Sequence, residues 1–163
     1  LPYEVAARAF KALIDRIARE AGVVREDSAL RLSSHQVRLI GADSAVADQI
    51  AAELARAGFH PPEVDQLGRT LELPAGQLKS VLGALEMQGR VVKVAAELYF
   101  DRTHFEDARG RLLGYLADHA EINAAAYRDL LAASRKISIS LLDYFDHAGV
   151  TTRVGDARRL RKA

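Results

Sequence analysis

Seven cationic side chains fall within the final thirty residues of the sequence, Arg135, Lys136, Arg153, Arg158, Arg159, Arg161 and Lys162, against three anions, Asp143, Asp146 and Asp156. The whole chain carries a formal charge of only +1, so everything before Ser134 is net acidic. Such asymmetry is the electrostatic footprint of a patch that meets a polyanion. Spacing sharpens it. Ser134-Arg135-Lys136 stands where a helix should begin, and unpaired amide N–H groups and the helix dipole already favour phosphate there. Arg153 and Arg158 flank the Gly155-Asp156 turn on opposite strands of a hairpin. Arginine's planar fork suits phosphate oxygens. The candidate nucleic-acid site is therefore Ser134, Arg135, Lys136, Arg153, Val154, Gly155, Asp156 and Arg158. The same residues would equally make a solvated, arginine-rich end that only solubilises the chain.

No catalytic chemistry is legible. There is no Gly-x-x-x-x-Gly-Lys-Ser/Thr loop, no Gly-x-Gly-x-x-Gly before a helix and no Gly-x-Ser-x-Gly elbow. Cysteine is absent, which removes disulfides, thiolate zinc sites and thiol nucleophiles together and favours a reducing compartment. His35, His60, His104, His119 and His147 form no i, i+3 or i, i+4 pair of the kind a metal site needs. The expectation is a non-enzymatic chain without a metal site.

The elements that must position the cations come as a repeat. Three stretches, Leu13 to Leu32, Leu82 to Phe100 and Leu141 to Leu160, each read as an amphipathic helix closed by a glycine (Gly22, Gly89, Gly149) and followed by two short strands. The turns fall at Glu26-Asp27, Ala95-Ala96-Glu97 and Gly155-Asp156, the last being good chemistry for a tight hairpin. Upstream of the second stop, helices are predicted from Ser44, as N-cap, to Ala57, from Glu63 to Leu71, and from Pro74 to Gln88. Upstream of the third, they run from Thr103 to His119, from Ala124 to Ala132 behind an Asn123 cap, and from Ser134 to Ala148, with Glu121-Ile122 extended. Helix, helix, helix, hairpin is the winged-helix plan. The fold class is thus mostly α with small β-hairpins, as tandem winged-helix modules: 1–39 the last half of one, 40–101 a complete spacer module, 102–163 the complete binding module.

Composition agrees. Of 163 residues, 49% are hydrophobic and 28% charged, ordinary globular proportions. No apolar run spans a bilayer and no leader opens the chain, so a soluble, cytoplasmic, monomeric protein without membrane partners is expected. The opening Leu1-Pro2 reads as the start of a fragment.

Which nucleic acid is met depends on the last helix. Ile137, Leu141, Leu142, Phe145 and Ala148 are expected in the core, with Ser138, Asp143, Asp146 and His147 outward. Two outward carboxylates disfavour insertion into a DNA major groove. RNA held through phosphates, 2′-hydroxyls and unstacked bases fits better. In the preceding unit the equivalent places are Pro74-Ala75-Gly76 and Ala95-Ala96-Glu97, uncharged or acidic, as befits a spacer. A DNA-binding regulator and a protein-interaction scaffold remain the rival readings.

The runs Arg128-Asp129-Leu130-Leu131, Ser134-Arg135-Lys136, Leu141-Leu142-Asp143-Tyr144-Phe145-Asp146 and Gly149-Val150-Thr151 with Arg153-Val154-Gly155-Asp156 resemble the C-terminal module of the bacterial selenocysteine-specific elongation factor family. Leu98-Tyr99-Phe100 and Ser34-His35-Gln36-Val37-Arg38-Leu39 are similar to its preceding modules. Ile137-Ser138-Ile139-Ser140 departs from the family pattern, which often has an aromatic and a proline there. The resemblance implies the end of a second winged helix and all of a third and fourth, the last binding a selenocysteine-insertion mRNA hairpin beside a UGA codon. It further implies a GTPase with GTP and Mg, and contacts with selenocysteinyl-tRNA and the ribosome, all in a part of such a factor that precedes these modules.

Overall fold

The computed structural model describes the strands Val23–Glu26 and Ala29–Leu32 and residues 42–161. The chain divides into two compact units, residues 1–38 and 39–163. Of the first, strands β1 (Val23–Glu26) and β2 (Ala29–Leu32) pair antiparallel, Val23 opposite Leu32, as the first predicted wing requires. The helix expected before them, its stop at Gly22 and residues 34–39 lie outside the described residues.

In the second unit the predicted order recurs twice. Helices α1 (Ala42–Ala57), α2 (Val64–Thr70) and α3 (Ala75–Met87) lead into strands β3 (Val91–Ala95) and β4 (Leu98–Asp101). Helix α4 (Arg102–Asp118), strand β5 (Ile122–Asn123), helices α5 (Ala124–Leu131) and α6 (Arg135–His147), and strands β6 (Thr151–Val154) and β7 (Ala157–Leu160) follow. The described residues are thus mostly helical with small antiparallel sheets, in winged-helix modules.

Local chemistry sets most boundaries. The Asp101 carboxylate accepts from the amides of Thr103 (2.9 Å) and His104 (3.2 Å), capping α4 directly at the end of β4. Asn123 and Ser134 cap α5 and α6 as their types predict, accepting from Ala126 N (2.8 Å) and Ile137 N (3.2 Å). Gly89 and Gly149 stop α3 and α6 with φ of 71° and 73°. Ser44 is not the cap it was expected to be. Helix α1 begins two residues earlier at Ala42, with Asp43 in its first turn, where a carboxylate suits the dipole and also accepts from Gln77 Nε2 (3.2 Å).

Two cores form, and one hairpin belongs to both. Ile50, Leu54, Leu67, Leu78, Leu82, Leu85, Val91 and Tyr99 fill the first; Phe105, Leu112, Tyr127, Leu141, Leu142 and Phe145 fill the second together with Val92, Val94, Leu98 and Phe100. Because side chains alternate along a strand, β4 points Tyr99 into its own module while Leu98 and Phe100 enter the next. Asp101 therefore ends one module and caps the first helix of the other, with no linker between them.

Tyr127 fixes α5 against α4. Its buried hydroxyl donates to Ala108 O (2.9 Å), and burial, reinforced by Asp107, pushes the phenol well above its ordinary range. Only the protonated phenol fits the fold, so stability falls once pH passes the unfolded value near 10, where the unfolded chain releases the proton first. Tyr127→Phe should cost about 1–2 kcal/mol in urea unfolding at neutral pH and should flatten that alkaline decline.

The shared hairpin predicts that Phe100→Ala, at about 3–5 kcal/mol, destabilises both modules. Hydrogen exchange should show the amides of α1 and α6 losing protection together; loss confined to one helix would mean that the cores fold apart.

Candidate nucleic-acid interface

The last module carries its cations on a three-stranded sheet and two helices. β7 is the central strand, in the order β5-β7-β6, a pairing of the extended Ile122 segment that the repeat pattern did not anticipate. In the β6–β7 register Arg153 lies directly opposite Arg158, and Gly155-Asp156 makes the two-residue turn, Gly155 at φ 60°. That positive φ is the reason for glycine there. Between α5 and α6 the chain reverses through Ala132, left-handed at φ 51°, and Ala133 N returns to Arg128 O (3.1 Å), which sets Arg135 at the first position of α6.

A surface hollow of about 350 Å³ results, lined by Asn123, Ala124 and Ala125 at the start of α5, Arg128, Arg135 and Ile139 on the helices, and Arg153, Asp156 and Arg158 on the wing. Helix tip and wing thus meet on one surface. The side chains that meet there differ from the expected four.

Arg135 is exposed and has no ion-pair or hydrogen-bond partner among the described residues. Arg153 is exposed, its Nε donating to Gly155 O (3.0 Å) and bracing the turn it precedes. Arg158 is a correction. It is 3% exposed, and its guanidinium donates from Nη2 to Asp143 (2.7 Å) and from Nε to Asp146 (3.1 Å). The second oxygen of Asp146 accepts from Thr151 Oγ1 (2.6 Å). A central-strand arginine next to a helix carrying two aspartates three residues apart offsets one of their two charges as the sheet packs; burial without such partners would be prohibitive. Asp146 accordingly turns toward the wing rather than outward, while Asp143 reaches Arg158 and stays half exposed. Ser138 was also expected outward and is fully buried, its hydroxyl donating to Ser134 O (3.0 Å).

Lys136, one step around α6, lies outside the hollow. Its Nζ pairs with Glu63, which precedes the first residue of α2 in the preceding module, and holds that carboxyl below the usual range. The expected convergence of Lys136 with the arginines does not form. Ser134 spends its oxygen on the helix cap, and Val154 stands on the face of β6 opposite Arg153, 45% exposed. Arg128 was missed as a site residue. It lines the hollow while bound to Asp129 (2.6 Å); the only signal was its place one turn beyond the Asn123 cap, and a charge count starting at Ser134 passes over it.

Among the described residues no group of three or more His, Asp or Glu side chains is placed to hold a metal, and no helix is long and apolar enough to cross a membrane.

This geometry defines a tandem winged-helix protein, and the comparisons agree: residues 114–160 match the family model described as "Elongation factor SelB, winged helix" and residues 38–96 that described as "DprA winged helix domain". Over most of its length the chain is similar to the selenocysteine-specific elongation factors, as the residues of the last module predicted. It is 29% identical over 150 residues to the factor from Desulfomicrobium baculatum, covering 92% of this chain, and 26% identical over 106 residues to that of Escherichia coli K12, covering 65%. It spans 24% and 17% of those relatives' lengths. Among solved structures, the mRNA-binding domain of elongation factor SelB from E. coli in complex with SECIS RNA superposes with a TM-score of 0.65 at 23% identity, over 75% of this chain and 99% of that one. The bacterial elongation factor EF-Sec superposes at 0.60 with 19% identity, over 93% and 24%. At these identities the two structures establish the fold.

Breaking the wing anchor should loosen the module. With Asp143 half exposed, Arg158→Ala is expected to cost about 2–4 kcal/mol in chemical unfolding, and Thr151→Val, which removes one hydrogen bond, about 1 kcal/mol.

Proposed function

We propose that this chain is the mRNA-binding part of a selenocysteine-specific elongation factor, with its last winged helix gripping an mRNA hairpin next to a UGA codon. One observation carries the reading: Arg128, Arg135 and Arg153 converge on one hollow between the α6 tip and the wing. Three arginines from three elements on a single concave surface match a folded phosphate backbone better than they match a solvated tail. The likeness to the E. coli mRNA-binding domain, nearly complete for that domain, supports it.

Each candidate then has a role. Arg135 and Arg153 contact phosphates directly, and Arg128 does so by exchanging Asp129 for the ligand. Ser134 holds the helix tip; Gly155 and Asp156 shape the turn, and Val154 offers an apolar surface to a loop base on the wing's other face. Lys136 ties the module to its neighbour. Nothing in this part performs catalysis or calls for a cofactor. GTP and Mg, selenocysteinyl-tRNA and ribosome contacts belong to the remainder of the factor, in the cytoplasm, with one copy of the chain per hairpin. Binding the hairpin raises the local concentration of that remainder at one codon, an effect of effective concentration.

A DNA-reading winged helix is disfavoured because α6 carries no Arg or Lys beyond Arg135 and Lys136, so its length offers no cationic stripe to a groove.

Fluorescence anisotropy with an RNA hairpin taken from just downstream of an in-frame UGA tests the reading. Three phosphate contacts give a log–log salt slope of about −2 to −3. Arg135→Ala should weaken binding by about 1–3 kcal/mol without lowering the melting temperature. Equal affinity for a scrambled loop or for duplex DNA, or a flat salt dependence, rejects it.

A further inference from the structure

The Arg158 network does more than anchor a strand. Asp143 and Asp146 are carried by the same helix whose tip presents Arg135, and Arg158 lines the hollow whereas neither aspartate does. Arg158 is thus buried at the border of that hollow, with its guanidinium engaged by both carboxylates. Three further facts fix it there. Arg158 sits on the central strand, paired on one side with Ile122 and on the other with Arg153. It engages both carboxylates at once, through different nitrogens. Asp146 is held by Thr151 as well, so the network cannot swing away without breaking a second contact. A phosphate ligand would have to compete with two carboxylates already bound.

From this we propose that Arg158 is a positioning residue that masks Asp143 and Asp146 from the bound nucleic acid, and is not itself a phosphate ligand. The proposal rests on the RNA-binding reading above. Its physical content is a charge balance: with Arg158 present the trio is net −1; without it, two uncompensated carboxylates are left beside a site built for polyanions. Like charges brought together in an interface are strongly unfavourable. The two aspartates on a net-cationic module thereby cease to be a contradiction, and the wing's position and the cover over those aspartates follow from one residue.

Three variants read this on the same hairpin, with unmutated protein as reference. Arg158→Gln should bind at least about tenfold more weakly, the repulsion of two uncovered carboxylates. Adding Asp143→Asn and Asp146→Asn to Arg158→Gln should restore affinity to within about threefold, with the salt slope of the unmutated protein, because neutral amides keep the shape and need no mask. A direct phosphate contact predicts otherwise: the triple variant stays weak and its slope is shallower by nearly one unit. Since Arg158→Gln alone leaves carboxylates unpaired and can unfold, Asp143→Asn with Asp146→Asn on intact Arg158 is measured too. The amide oxygens still accept from Arg158, and a thermal melt reads whether the module stays folded. Masking requires the folded variant to bind as tightly as the unmutated protein or more so; weaker binding by the folded variant overturns the proposal, and where it melts early the triple variant decides. If the unmutated chain ignores the hairpin, the functional reading fails first, and that outcome is distinct from every one above.

Discussion

The geometry of the last module depends on one buried guanidinium. Arg158 joins the central strand of the wing to α6 through Asp143 and Asp146, and Thr151 completes the joint from the neighbouring strand. Burying an arginine is costly unless its donors are met, and here two carboxylates meet them. The joint fixes the angle at which the hairpin leaves the helix, and the cross-strand pairing carries that angle to Arg153. The ordered relation between Arg153 on the wing and Arg135 on the helix tip is a consequence of it.

A second constraint works on a larger scale. Hairpin β3–β4 is buried on both faces, supplying Tyr99 to one core and Phe100 to the next. The ion pair of Lys136 with Glu63 lies at the same junction, as does the guanidinium of Arg111 over the ring of Phe59 (5.0 Å). Two modules that share a strand pair cannot be reoriented as freely as two modules on a linker. A last module mounted this way transmits its position to the preceding one through packed side chains.

The fold was largely legible in the sequence because its signals are local. Helix stops at Gly89 and Gly149, caps at Asn123 and Ser134 and the Gly155-Asp156 turn all depend on residues a few positions apart, and each folded as read. Ser44 misled because the helix already begins at Ala42, with the Asp43 carboxylate in its first turn and Gln77 as that carboxylate's distant partner. The site was less legible. Arg158 and Arg153 look alike as letters; what separates them is which strand lies at the centre of the sheet and which aspartates wait beneath, and both are tertiary facts. The helical period predicted outward carboxylates at Asp143 and Asp146 because it knows nothing of a strand returning across that face. Lys136 was lost to the cluster for a similar reason, its partner Glu63 being supplied by another module.

The most direct test of this account is NMR observation of the arginine side-chain Nε–Hε resonances as the UGA-proximal RNA hairpin is titrated in. The account predicts large shifts for Arg135 and Arg153, a shift for Arg128 as it leaves Asp129, and an Arg158 resonance that stays protected from exchange and barely moves. A hairpin-induced shift of Arg158 with Arg135 unperturbed would contradict it.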